Sequence, residues 1–128
     1  MKKEDPFLIV DDSTAARKLV QKLCETLGYG NFVHANNGKN AFETIESMDS
    51  VPGIILCDYN MPEATGVEFI KKVKEQEKYK DVPVLFISSE GEKNAIIEAL
   101  SVGANNYLVK PFEKEEFEEK FNALAGEK

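Results

Sequence analysis

A chain of 128 residues with 42% hydrophobic content is long enough to form one domain with a real core, which excludes disorder. Its 16 basic and 23 acidic residues leave a net charge of −7 without a basic run, which argues against nucleic-acid or anionic-membrane partners. No apolar stretch approaches a membrane span, no signal peptide precedes Lys2-Lys3-Glu4-Asp5, and Cys24 and Cys57 lack metal or redox spacing; a cytoplasmic protein with reduced thiols is expected.

In chain order, Phe7-Leu8-Ile9-Val10 is the first predicted strand, and it ends in Asp11-Asp12. Ala16, Leu19, Val20, Leu23, Cys24 and Leu27 then recur at helical spacing, with Ser13 placed to cap the start and Gly28 to stop the helix. Phe32-Val33-His34-Ala35 follows as a second strand, and Ala41, Ile45 and Met48 as a second helical stripe. The third strand, Ile54-Ile55-Leu56-Cys57, ends at Asp58 and leads to Gly66, Ile70 and Val73, with Phe69 beside them. Val84-Leu85-Phe86-Ile87 ends at Ser88-Ser89, and the stripe after it, Ile96, Ile97 and Leu100, stops near Gly103. Tyr107-Leu108-Val109 runs into Lys110-Pro111 and a last stripe of Phe117, Phe121 and Leu124.

Apolar runs this continuous suit parallel strands covered on both faces. Alternating strand and helix units predict an α/β fold, a five-stranded parallel sheet with right-handed crossovers and helices on both faces. The strand order expected is the flavodoxin-like 2-1-3-4-5, with the less apolar second and fifth strands at the edges. The whole chain, 1–128, is expected to be one domain with no output domain attached.

In such a sheet every strand ends its carboxyl side on the same edge, and ligands bind where the strand order reverses. That point lies between the first and third strands, which carry Asp11, Asp12 and Asp58, with Ser88 and Lys110 on the neighbouring strands. A lone Asp after a strand is usually a loop residue or a helix cap. Three together repel: two unit charges about 4 Å apart cost on the order of 4 kcal/mol at an effective dielectric near 20. Lys110 or a hard divalent cation must offset them, and Mg²⁺ suits a site of a few carboxylates that leaves room for a phosphate. A carboxylate can itself attack a phosphoryl group, and that transfer needs positioning and charge compensation above all. Topology and charge do not choose the nucleophile among the three aspartates. His34, the single histidine, is expected to be a half-exposed strand residue rather than a base.

The motifs Phe7-Leu8-Ile9-Val10-Asp11-Asp12-Ser13, Cys57-Asp58-Tyr59-Asn60-Met61-Pro62, Val84 to Glu90 and Gly103 to Phe112 stand in this order over almost the whole chain. Each is weak alone; together they resemble the receiver domains of two-component response regulators, most of all the stand-alone members that serve chemotaxis. The resemblance implies that Asp58 is the phosphoryl acceptor. Asp12, Asp58 and the backbone carbonyl of Asn60 would hold the metal, with Asp11 helping through water; Mg²⁺ is expected, Mn²⁺ as an alternative. It also implies that Lys110 pairs with the acceptor, that Ser88 and Tyr107 form the switch, and that Asn60 and Glu90 tune the loss of the phosphoryl group. The Lys110-Pro111 peptide is expected to be cis.

The implied partners are a histidine kinase as phosphodonor, a phosphatase, and a target protein on the face made by the fourth helix, fifth strand and fifth helix, with a flagellar motor switch protein as the leading candidate. The chain would be a monomer and a signalling phosphoacceptor, catalysing only its own phosphorylation and dephosphorylation. Two rivals stand beside this: a relay intermediate that passes the phosphoryl group to another histidine-containing protein, and an independent phosphatase with an aspartate nucleophile. The phosphatase class wants Asp-x-Asp after the first strand, where this chain has adjacent aspartates. Two departures from the family pattern are Thr65, where an Asp is common, and the acidic segment Glu113 to Glu119 on the expected target face.

Overall fold

The computed structural model describes residues 2–58, 66–89 and 93–125. Strands and helices alternate: β1 (Phe7–Val10), α1 (Thr14–Thr26), β2 (Phe32–Ala35), α2 (Gly38–Ser47), β3 (Ile55–Asp58), α3 (Gly66–Lys74), β4 (Val84–Ser89), α4 (Lys93–Ser101), β5 (Asn106–Lys110) and α5 (Lys114–Ala125). The strands form one parallel sheet in the expected order β2-β1-β3-β4-β5. Among the described residues, no helix is long and apolar enough to cross a membrane.

Alternate strand residues point to opposite faces, so each strand feeds two core layers. Leu8, Val10, Ile55, Cys57, Val84 and Phe86 pack with Ala41, Ile45, Phe69, Ile70 and Val73 of α2 and α3 on one face. Phe7, Ile9, Leu56, Leu85, Ile87 and Leu108 pack with Val20 and Cys24 of α1 and Phe117 and Phe121 of α5 on the other. This double coverage is why the apolar runs are continuous instead of alternating. Tyr29 and Phe121 meet edge to face at 5.3 Å, and Phe7 joins both, which fills the layer beneath β1 with aromatic rings.

The helix ends follow the expected chemistry. Ser13 caps α1, its hydroxyl accepting from the Ala16 amide at 3.1 Å, and Gly28 takes φ +99° just past the helix end. Gly103 closes α4 in the same left-handed region, at φ +124°.

Three expectations change. The strands reach further than the apolar runs, since Asp58, Ser88, Ser89 and Lys110 are themselves strand residues. Ladder hydrogen bonds use backbone groups and are indifferent to side-chain polarity. Ile54, read as the start of the third strand, lies just before β3, although fully buried. Within the helical stripes, Leu19 is 55% exposed and Ile97 65% exposed, and Leu100 is exposed as well. The covered face of α4 is Ala95 and Ala99, small residues that let the helix lie close against the core, with Ile96 partly buried beside them.

Candidate functional site

Register sets the site. Val10 lies opposite Cys57 and Asp58 opposite Ile87, while Ser89 lies opposite Lys110. The residues following β1 and ending β3, β4 and β5 therefore come level at one edge of the sheet.

Asp11, Asp12 and Asp58 offer carboxylate oxygens that all lie within 4.8 Å of one another. Asp11 and Asp58 are buried and Asp12 is exposed. Lys110 reaches across from β5, its Nζ 2.9 Å from Asp58 Oδ1 and 3.4 Å from Asp11 Oδ2. The Asp11 carboxylate also accepts from the Ser13 amide at 2.9 Å, which fixes its second oxygen. Burial pushes the Asp58 carboxyl up to about 6, against the hydrogen bond from Lys110, with the Asp11 and Asp12 charges adding to the rise. Burial alone would lower the Lys110 ammonium, but its bond to Asp58 and the facing carboxylates raise it above its usual range. Lys110 is thus held charged, while Asp58 is a carboxylate under strain from its neighbours.

The donor set fits a hard divalent cation. Three ionised carboxylates and one ammonium sum to two negative charges, and all the donors are oxygen. The site also contains a group awaiting a partner: Ser88 is fully buried at the end of β4, and its Oγ has no hydrogen-bond partner among the described residues. Tyr107 is half-buried on β5, with Lys120 Nζ 4.4 Å from its ring centroid. The Lys110-Pro111 peptide is cis, as expected. A cleft of about 510 Å³ lies beside the cluster on the α1 side, lined by Asp11 and Lys110 together with Leu19, Ile87 and Phe112. Asn60 and Glu90 lie outside the described residues, as does Thr65.

Cys24 and Cys57 are free and buried. Burial drives Cys24 up to about 12 and Cys57 well above its usual range, so both stay protonated thiols, as the sequence suggested. His34 is half-buried, also as expected, but it is not idle. Its Nδ1 accepts from Arg17 Nε at 3.1 Å, and its Nε2 lies 2.6 Å from Gln21 Oε1.

Two residues at the site escape sequence reading. Gly66 opens α3 against β3: a Cβ there would collide with the Asp58 carbonyl oxygen, so only glycine fits. Arg17, partly buried beside the apolar stripe of α1, donates from Nη1 to the Asp11 carbonyl at 2.6 Å. The i, i+4 spacing of Arg17 and Gln21 was the available signal, since it lets both reach one side chain on β2.

A family model, that of the response regulator receiver domain, matches residues 7–122. A chemotaxis protein CheY homolog of Campylobacter jejuni is 36% identical over 94% of this chain and 92% of its own length. Chemotaxis protein CheY1 of Helicobacter pylori is 35% identical over 94% of this chain and 96% of its own. Among solved structures, the chemotaxis response regulator CheY4 of Vibrio cholerae superposes with a TM-score of 0.84 at 32% identity, covering 94% of this chain and 98% of that one.

Proposed function

This chain belongs to the response regulator receiver domain family and is similar to chemotaxis CheY proteins, and from that membership we propose that it is phosphorylated on Asp58 by a histidine kinase and then binds a separate target. The observation that carries the proposal is the Asp58–Lys110 pair at 2.9 Å inside a three-carboxylate cluster. An Asp58 oxygen attacks the phosphorus of a phosphohistidine; the P–N bond breaks, and the imidazole leaves with the electron pair. The Lys110 ammonium, 2.9 Å from Asp58 Oδ1, stands beside the acceptor and offsets the negative charge of the incoming phosphoryl oxygens. The Ser88 hydroxyl, unpartnered among the described residues, donates to a phosphoryl oxygen after transfer. Asp11, Asp12 and Asp58, with the Asn60 carbonyl, would hold Mg²⁺, which when bound supplies further charge compensation; Mn²⁺ is the alternative.

Phosphorylation adds close to two negative charges at Asp58 and biases a two-state equilibrium. Ser88 moves toward the new group, and Tyr107 turns inward and changes the face of α4, β5 and α5. The exposed Ile97 and Leu100 on α4 support a partner-binding role for that face. Asn60 and Glu90 tune the lifetime of the phosphorylated form. The match to CheY relatives over 92% and 96% of their own lengths supports a regulator acting in chemotaxis, with a flagellar motor switch protein as target.

The test is incubation with a small phosphodonor and Mg²⁺, followed by intact mass. Wild type is expected to gain one phosphoryl group and Asp58→Asn none. Undiminished labelling of the variant removes Asp58 as the acceptor.

A further inference from the structure

We propose that Arg17 is a positioning residue for the acidic cluster, and that His34 holds Arg17 in place. The proposal rests on the assignment of that cluster as a Mg²⁺ site. Arg17 Nη1 donates to the Asp11 carbonyl at 2.6 Å, and that carbonyl belongs to the peptide joining Asp11 to Asp12. Fixing that peptide plane fixes where the amide nitrogen and Cα of Asp12 lie, and so the point from which its side chain leaves the backbone. The carboxylate of Asp11 is separately held by the Ser13 amide and Lys110. Asp12 is exposed, and none of the hydrogen bonds described for the cluster restrains its side chain directly. Arg17 supplies the restraint through the backbone.

The guanidinium is itself held on all sides. Its Nε donates to His34 Nδ1 at 3.1 Å and its Nη2 to Thr14 Oγ1 at 3.2 Å. His34 accepts at Nδ1, so a neutral ring carries its proton on Nε2, where Gln21 Oε1 receives it at 2.6 Å. Burial, and then the Arg17 charge, lower the tendency of the ring to protonate, which keeps it an acceptor. The chain of contacts runs from the edge strand β2 through α1 to the loop after β1. Its planar fork is what lysine lacks.

Three accounts of Arg17 differ in sign. A positioning residue makes Mg²⁺ bind more tightly, although a cation close to the site should repel it. A bystander cation would weaken binding, so its removal would tighten it. A residue that only stabilises α1 would change melting and leave the Mg²⁺ constant alone.

The experiment is Mg²⁺ titration by calorimetry on wild type, Arg17→Met, Arg17→Lys, His34→Leu and His34→Asn, with folding checked by circular dichroism. Arg17→Met is expected to bind Mg²⁺ about tenfold more weakly, the scale of loss when an outer contact that orients a ligand is removed. Arg17→Lys should keep the charge and still lose most of the affinity. His34→Leu should weaken binding with Arg17 present, and His34→Asn, whose amide oxygen can accept from Arg17, should restore it. Tighter binding in Arg17→Met, or an unchanged constant in both Arg17→Met and His34→Leu, overturns the proposal. If Arg17→Met does not fold, the two His34 variants decide alone. A wild type that takes up no Mg²⁺ overturns the metal assignment and the proposal with it, whereas a binding wild type matched by its variants overturns the proposal only.

Discussion

The hydroxyl of Ser88 separates stability from function at a single atom. It is fully buried and unpartnered among the described residues, and a buried hydroxyl without a hydrogen bond costs about 1–3 kcal/mol. Ser88→Ala removes that penalty and leaves only a small void. Without phosphodonor, the variant is expected to be about 1 kcal/mol more stable than wild type in urea denaturation. Its phosphorylation by a small donor should be slower, because the new oxygens lose a donor. A variant clearly less stable than wild type would mean that the hydroxyl already has a partner in solution. Gly66 makes the complementary point, since a single methyl group there would collide with the backbone of Asp58.

Among the elements, α4 turns two of its large apolar residues outward while Ile96 packs against the core. Ala95 and Ala99 meet the sheet, while Ile97 and Leu100 stand in water. The double variant Ile97→Ser, Leu100→Ser is expected to change folding stability by under about 0.5 kcal/mol, as surface substitutions do. Ala99→Leu, on the covered face, should cost about 1–3 kcal/mol by overpacking. Urea denaturation of the two proteins compares them directly; a larger loss for the exposed pair would contradict the assigned orientation of α4.

At the scale of the whole molecule, the acidic edge sets stability against function. Asp58 has a folded-state pKa of about 6, above the ordinary 3.8, because burial and its acidic neighbours disfavour the charge. A raised pKa stabilises the fold fully below the ordinary value, and that contribution is lost as pH rises through about 6. In chelating buffer near neutrality, Asp58→Asn should therefore be more stable than wild type by about 1–3 kcal/mol. The gap should shrink as pH falls through 6 toward 4. Chemical denaturation across that range checks it, and a gap that widens on acidification reverses the sign and the argument. At neutral pH the wild-type site carries net negative charge beside a single lysine, which is the condition that favours a cation.

Strand order, two-sided helix coverage and the gathering of Asp11, Asp12, Asp58, Ser88 and Lys110 at one edge were determined by the sequence alone. Continuous apolar runs, helical periodicity and the one-way geometry of parallel crossovers leave little choice there. The choice of Asp58 among three aspartates came from motif likeness, because charge and topology treat the three alike. Tertiary structure decided what periodicity cannot carry: how close two backbones come, and which face of a helix a neighbour covers. Leu19, Ile97 and Leu100 are apolar and at the right spacing, yet exposed, because other side chains of the fold already fill the space they could have taken. Gly66 against the Asp58 carbonyl, and Arg17 on the Asp11 carbonyl with His34 behind it, join backbone atoms to residues distant in space or sequence. Side-chain pattern encodes which residues avoid water; only the folded chain determines which carbonyl lies within reach of which donor.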